Sequence, residues 1–95
     1  MTCVLKEGIL MELQQLRQKI DDIDKELICL FAQRMEISKA IGAYKKERDL
    51  PIFVPQREQE KLNDVATQAG ELSSYAVRLY ETIFSLSREY QSEET

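Results

Sequence analysis

Residues 27–45, "LICLFAQRMEISKAIGAYK", decide how the chain folds. The apolar residues Leu27, Leu30, Ile37, Ile41 and Tyr44 recur at the three- and four-residue steps that mark one face of a helix. The same rhythm places Arg34 on that face, where a leucine or isoleucine belongs. Reading outward towards the N-terminus, Ile9, Leu13, Leu16, Ile20, Ile23, Leu27 and Leu30 follow one another by 4, 3, 4, 3, 4 and 3 residues. This is a sustained heptad pattern of the kind coiled coils use. No proline interrupts it before Pro51, and Gly42 is its one weak interior residue. The pattern predicts a helix over about residues 9–48, roughly 60 Å long at the α-helical rise per residue.

Beyond it, "RDLPIFVPQRE" (residues 48–58) breaks the periodicity. Pro51 and Pro55 cannot lie inside a helix, and each drives its predecessor towards extended geometry. Pro55 suits a first helical turn, with Glu58 and Glu60 favourable near that end. A second helix is expected over Pro55–Ala69, stopped by Gly70. Ser73 or Ser74 would cap a third. That helix carries Val77, Leu79 or Tyr80, Ile83, Phe84, and Leu86 or Ser87, and runs into the polar tail "QSEET". No strand pattern or repeat is present. The chain therefore reads as all-α, with three helices, one of them very long. Two short helices cannot cover the whole seam of the long one, and a chain this small buries a limited core alone. An intertwined helical homodimer is the expected solution.

Composition narrows the function. The 95 residues, 43% apolar and 32% charged, suit one folded domain rather than a disordered chain. A net charge of −4 leaves no footprint for nucleic acid or an anionic membrane. No apolar run approaches the ~20 residues of a membrane span. The start, "MTCVLKEGILMELQQL", lacks the parts of a secretory signal. Cys3 and Cys29 make no metal or redox spacing; Cys29 should be buried in the helix and Cys3 should lie on a loose end. A reducing cytoplasm follows as the expected compartment. There is no histidine, which removes the commonest general base and zinc ligand. No metal or other cofactor is expected.

Polar residues sit where apolar ones belong. Lys45 lies eleven residues after Arg34, so Arg34, Ser38, Ile41 and Lys45 line one strip spanning roughly 16 Å. Two long cationic side chains on such a strip can hold a small anionic metabolite. Taken alone, Lys45 reads as a lysine extending its head to water. Arg34 needs an anion, because a buried unpaired guanidinium is costly; Asp24 or Asp64 is the candidate within the chain. Arg17 lies roughly 25 Å along the same helix from Arg34. The two cannot share a ligand within one chain, but can across an antiparallel pair of helices. From pattern alone Arg17 reads as a solvated flank residue. Arg57 and Glu58 read as a surface pair, and Ser87 and Gln91 face the same way one turn apart. Together these residues suggest a cationic pocket, suited to a small dianion, inside an acidic protein.

The whole pattern resembles the all-helical class of chorismate mutase. The resemblance covers about residues 11–92, leaving residues 1–10 as an extension without an assigned role and residues 93–95 as a tail. It rests on Leu16–Arg17 followed by "IDDID", on Arg34, Ile37, Gly42 and Lys45, on "PIFVPQREQEKL", and on "YETIFSLSREYQ" with Ser87 and Gln91 four apart. It implies a domain-swapped helical dimer with shared sites and conversion of chorismate to prephenate in aromatic amino-acid biosynthesis. By the same resemblance, Arg34 and the other chain's Arg17 bind the two substrate carboxylates. Lys45 and Gln91 hydrogen-bond the ether oxygen. Glu58 accepts from the ring hydroxyl, Ser87 assists carboxylate binding, and Arg57 supports the site beside Glu58. One position departs: Val54 stands where the family often has aspartate, which throws hydroxyl recognition onto Glu58 unless the backbone makes that contact. Two other readings stand beside this one. An isochorismate pyruvate-lyase would use the same fold and cations. A non-catalytic helical dimer would keep the heptads but need not keep Arg17, Arg34, Lys45, Glu58 and Gln91 together.

Overall fold

The computed structural model describes residues 12–92. They are helical in the order α1 (Leu13–Glu47), α2 (Pro55–Ala69), a 3-10 turn (Gly70–Leu72) and α3 (Ser73–Ser92), with no strand among them. The all-α class is as expected from the periodicity. The expected N-terminal extension, Cys3, Ile9 and the tail at 93–95 lie outside the described residues. The chain divides into two compact units, residues 1–33 and 34–95.

The first unit, as described, is residues 13–33 of α1. Its seam residues Leu13, Ile20, Ile23, Leu27 and Leu30 are all exposed. A single helix has nothing within its own unit on which to pack them. Cys29 is corrected for the same reason: the expected buried cysteine is a free, exposed thiol. Its sulfur accepts a hydrogen bond from Gln33 Nε2 at 3.4 Å.

The second unit holds residues 34–47 of α1, the proline loop, α2, the 3-10 turn and α3. Helix α1 ends in a Schellman motif. Leu50 N–H reaches back to the Lys45 carbonyl at 2.9 Å and Asp49 N–H to that of Lys46 at 3.3 Å. Asp49 takes the left-handed conformation this closure needs, with φ 54°. Pro51 follows directly, where the helix could not continue anyway. Arg48 adds a further closure, donating to the Tyr44 carbonyl at 3.2 Å while stacked 3.7 Å from the Tyr44 ring centroid.

Helix α2 starts as the sequence suggests. Val54 is extended (φ −124°, ψ 91°), Pro55 occupies the first turn, and the Glu58 N–H donates to the Val54 carbonyl at 3.2 Å. Gly70 ends α2 at φ 59°, a conformation glycine adopts without a Cβ penalty. The chain does not leave helix there for long. Ser73 is already helical (φ −57°, ψ −43°) and its N–H donates to the Gly70 carbonyl. An N-cap residue is extended, so neither Ser73, which is helical, nor Ser74, which lies inside α3, caps α3 as expected; the 3-10 turn carries helical geometry straight across.

Helices α2 and α3 pack on each other, with Val65 and Phe84 as the buried apolar side chains among the described residues. Tyr80 meets Phe84 edge-on, with ring centroids 6.0 Å apart. The alternatives left open along α3 resolve to one face: Tyr80 is half-buried and Ser87 buried, whereas Leu79 and Leu86 are exposed.

Candidate active site

A cavity of about 510 Å³ opens in the second unit, within the range of small-molecule sites. Helix α1 contributes Arg34, Ser38, Ile41 and Lys45 to its lining. The proline loop supplies Ile52 and Val54. Helix α2 supplies Arg57, Glu58 and Lys61, and α3 supplies Phe84, Ser87, Arg88 and Gln91. Seven residues singled out from the sequence thus meet in one cavity: Arg34, Lys45, Val54, Arg57, Glu58, Ser87 and Gln91. Arg17 is exposed on the first unit and is not among the lining residues.

Several of these side chains are held by definable contacts. Arg34 Nη1 donates to Ser87 Oγ at 3.1 Å, and its guanidinium lies 5.8 Å from the centroids of both Tyr80 and Phe84. Neither Asp24 nor Asp64 supplies the expected carboxylate; among the described residues Arg34 has no ion pair. Ring faces and a hydroxyl stand there instead, and these leave the positive charge unneutralised. Lys45 Nζ donates to the Ile52 carbonyl at 3.1 Å, so the proline loop fixes the ammonium rather than leaving it in water. Gln91 Nε2 donates to Ser38 Oγ at 2.9 Å, which replaces the solvated reading of Gln91 with a half-buried one.

Glu58 carries the cavity's one carboxylate. Arg88 Nη1 contacts both of its oxygens, at 2.6 and 2.5 Å, and stacks 4.6 Å from the Phe53 ring centroid. Sequence reasoning missed Arg88 and Lys61. A signal existed for each: Arg88 lies three residues before Gln91, and Lys61 three after Glu58, the spacings that share a helix face. Val54 contributes no side-chain acceptor, and its carbonyl receives the Glu58 N–H. Arg57 is exposed at the rim.

Arg34, Lys45, Arg57, Lys61 and Arg88 face a single carboxylate in the lining, while the chain as a whole carries −4. Such a concentration of cations in an acidic protein selects an anion. Among the described residues no cluster of acidic or cysteine side chains is arranged to hold a metal ion. No described helix is long and apolar enough to cross a membrane.

Comparison with known proteins bears on the same residues. The family model for chorismate mutase type II matches residues 16–92. A bifunctional chorismate mutase/prephenate dehydratase of Aquifex aeolicus is 47% identical over 49 residues, covering 52% of this chain and 14% of that protein. The T-protein of Haemophilus influenzae is 48% identical over 46 residues, covering 48% of this chain and 12% of that protein. A chorismate mutase of Methanocaldococcus jannaschii is 21% identical over 85 residues, covering 86% of each chain. The chain thus spans only 14% and 12% of the first two relatives. No solved structure matches it.

Proposed function

The chain belongs to the chorismate mutase type II family, and from that premise we propose that it rearranges chorismate to prephenate, a step in aromatic amino-acid biosynthesis. The observation that carries this reading is the convergence of Arg34, Lys45, Glu58, Ser87 and Gln91 on one cation-rich cavity.

The reaction breaks one C–O bond and forms one C–C bond within a single molecule. No proton moves, so the site needs no general base. Its first task is to hold a flexible dianion in the compact conformer that reacts. Arg34 grips one carboxylate. Its guanidinium has five N–H groups, and the bond to Ser87 occupies only one of them. Ser87 orients Arg34 and adds its hydroxyl to the same carboxylate. Arg17 of the partner subunit holds the second carboxylate, and Arg57 supports Glu58 from the rim.

The second task is to favour the transition state, in which the ether oxygen becomes more negative. Lys45 and Gln91 donate to that oxygen. They accelerate the reaction to the extent that they bind it better there than in the substrate. With one proton on the Ile52 carbonyl, the Lys45 ammonium keeps two for the substrate. Glu58 accepts from the ring hydroxyl, with Arg88 holding its carboxylate in place.

The working unit in this reading is a homodimer. Ile37, Ile41 and Tyr44 of the second unit are exposed, as is most of the seam of the first. Each such side chain is about half exposed, so covering the remainder contributes about 1 kcal/mol, roughly half of what full burial would give. A second copy carries the complementary seam and supplies the Arg17 that the cavity lacks. We place the protein in a reducing cytoplasm, which the free, exposed Cys29 supports.

A continuous ultraviolet assay with chorismate, and product identification by chromatography, tests the function. Prephenate formation that disappears in Lys45→Ala is expected. Turnover of isochorismate alone would instead identify a lyase, and turnover of neither would leave a binding protein.

A further inference from the structure

Helix α1 meets Gln91 at two residues that the reaction itself does not assign. At Gly42, a Cβ would lie 2.9 Å from Gln91 Cβ, 3.0 Å from its Cγ and 3.1 Å from its Cα. The first of these is closer than real Cβ atoms come, and the last involves backbone, which cannot swing aside. Any side chain here would push α3 away from α1 at Gln91. Glycine is a poor residue for a helix interior, and at this position the missing Cβ is what admits Gln91.

One turn earlier, Ser38 is buried, at 5% exposure, and its Oγ accepts from Gln91 Nε2 at 2.9 Å. The other edge of the same carboxamide is not satisfied. Gln91 Oε1 is buried with no hydrogen-bond partner. Half-satisfied buried amides are uncommon. Serine can meet either edge because its hydroxyl both donates and accepts.

We propose that Ser38 and Gly42 are positioning residues that present the Gln91 carboxamide to the substrate. Gly42 admits the Gln91 backbone and stem, and Ser38 accepts one N–H of the carboxamide, which leaves the second for the ether oxygen. This rests on the mutase reading, in which Gln91 is a donor to that oxygen. In this proposal the effect of Ser38 passes through Gln91.

That dependence supplies the test. Chorismate turnover is measured for the wild type, Ser38→Ala, Gln91→Ala and the double variant, with dimer content and helicity checked for each. Gln91→Ala is expected to lower kcat about a hundredfold, as loss of a transition-state donor does. Ser38→Ala is expected to lower kcat about tenfold, the size of one lost hydrogen bond, with KM nearly unchanged. In the Gln91→Ala background, adding Ser38→Ala should change kcat by less than about twofold, since coupled residues are not additive. Equal tenfold losses in both backgrounds, or no loss in the single variant, would overturn the Ser38 role while leaving the mutase reading intact. Gly42→Ala with wild-type kcat would overturn the steric part. A wild type that does not turn over chorismate would overturn both this proposal and the mutase reading.

Discussion

Arg34 interrupts an apolar seam, and its surroundings are unusual for a half-buried cation. It touches a hydroxyl and two aromatic faces, and no carboxylate among the described residues pairs with it. Contact with each ring is worth about 0.5–1 kcal/mol, which offsets only part of the cost of withdrawing the guanidinium from water. In the proposed site the substrate carboxylate supplies the rest. Arg34→Met should therefore abolish measurable turnover, yet leave stability within about 1 kcal/mol of wild type, because it strands no buried anion. Urea unfolding at a fixed protomer concentration, beside the chorismate assay, checks both parts. A large loss of stability would mark Arg34 as structural. Arg88 differs: it neutralises Glu58, and its removal would leave that carboxylate without the cation that holds it.

The helix ends show how local chemistry shapes the cavity's rim. The Schellman closure at residues 45–50 turns α1 into the proline loop, which brings the Ile52 carbonyl to Lys45. The closure places Asp49 at φ 54°, where a residue with a Cβ is disfavoured. Asp49→Gly removes that penalty. It should stabilise the fold by about 0.5–1 kcal/mol, net of the extra freedom glycine gains when unfolded. Chemical denaturation measures the gain, and kcat should not change, because Asp49 does not line the cavity. At the start of α2, Val54 is in cap geometry without a capping side chain. Hydroxyl recognition is therefore assigned to Glu58 alone in the proposed mechanism.

At the scale of the molecule, two apolar side chains, Val65 and Phe84, are buried among the described residues, while most of the heptad seam is exposed. Folding of a chain with so small a core gains little from burial. The proposed homodimer supplies the missing cover, and with it a mutational signature. A dimer built from one Arg17→Ala chain and one Lys45→Ala chain contains one site with every group present and one lacking both. After complete random exchange, half of the dimers are mixed, so turnover should recover to about a quarter of wild type. Each variant alone should be nearly inactive. No recovery after exchange proven by mass spectrometry would rule out a site shared between subunits.

Periodicity and punctuation were enough to read α1 and α2. Steps of three and four mark α1, Pro55 starts α2 and Gly70 ends it, because these signals act within a few residues of themselves. Many of the cavity residues were also legible, since a family motif records which side chains recur at which spacing. What stayed hidden depends on contacts between residues far apart in the chain. Nothing near Arg88 announces that it grips Glu58, thirty residues away. The role of Gly42 is invisible until Gln91 is seen against it, and Arg34's aromatic partners appear only once α3 shows which face it turns inward. Cys29 and Ser73 were misread for the complementary reason. A periodic pattern says which residues share a face, but only the tertiary structure decides whether that face is covered and whether a turn breaks a helix or carries it on.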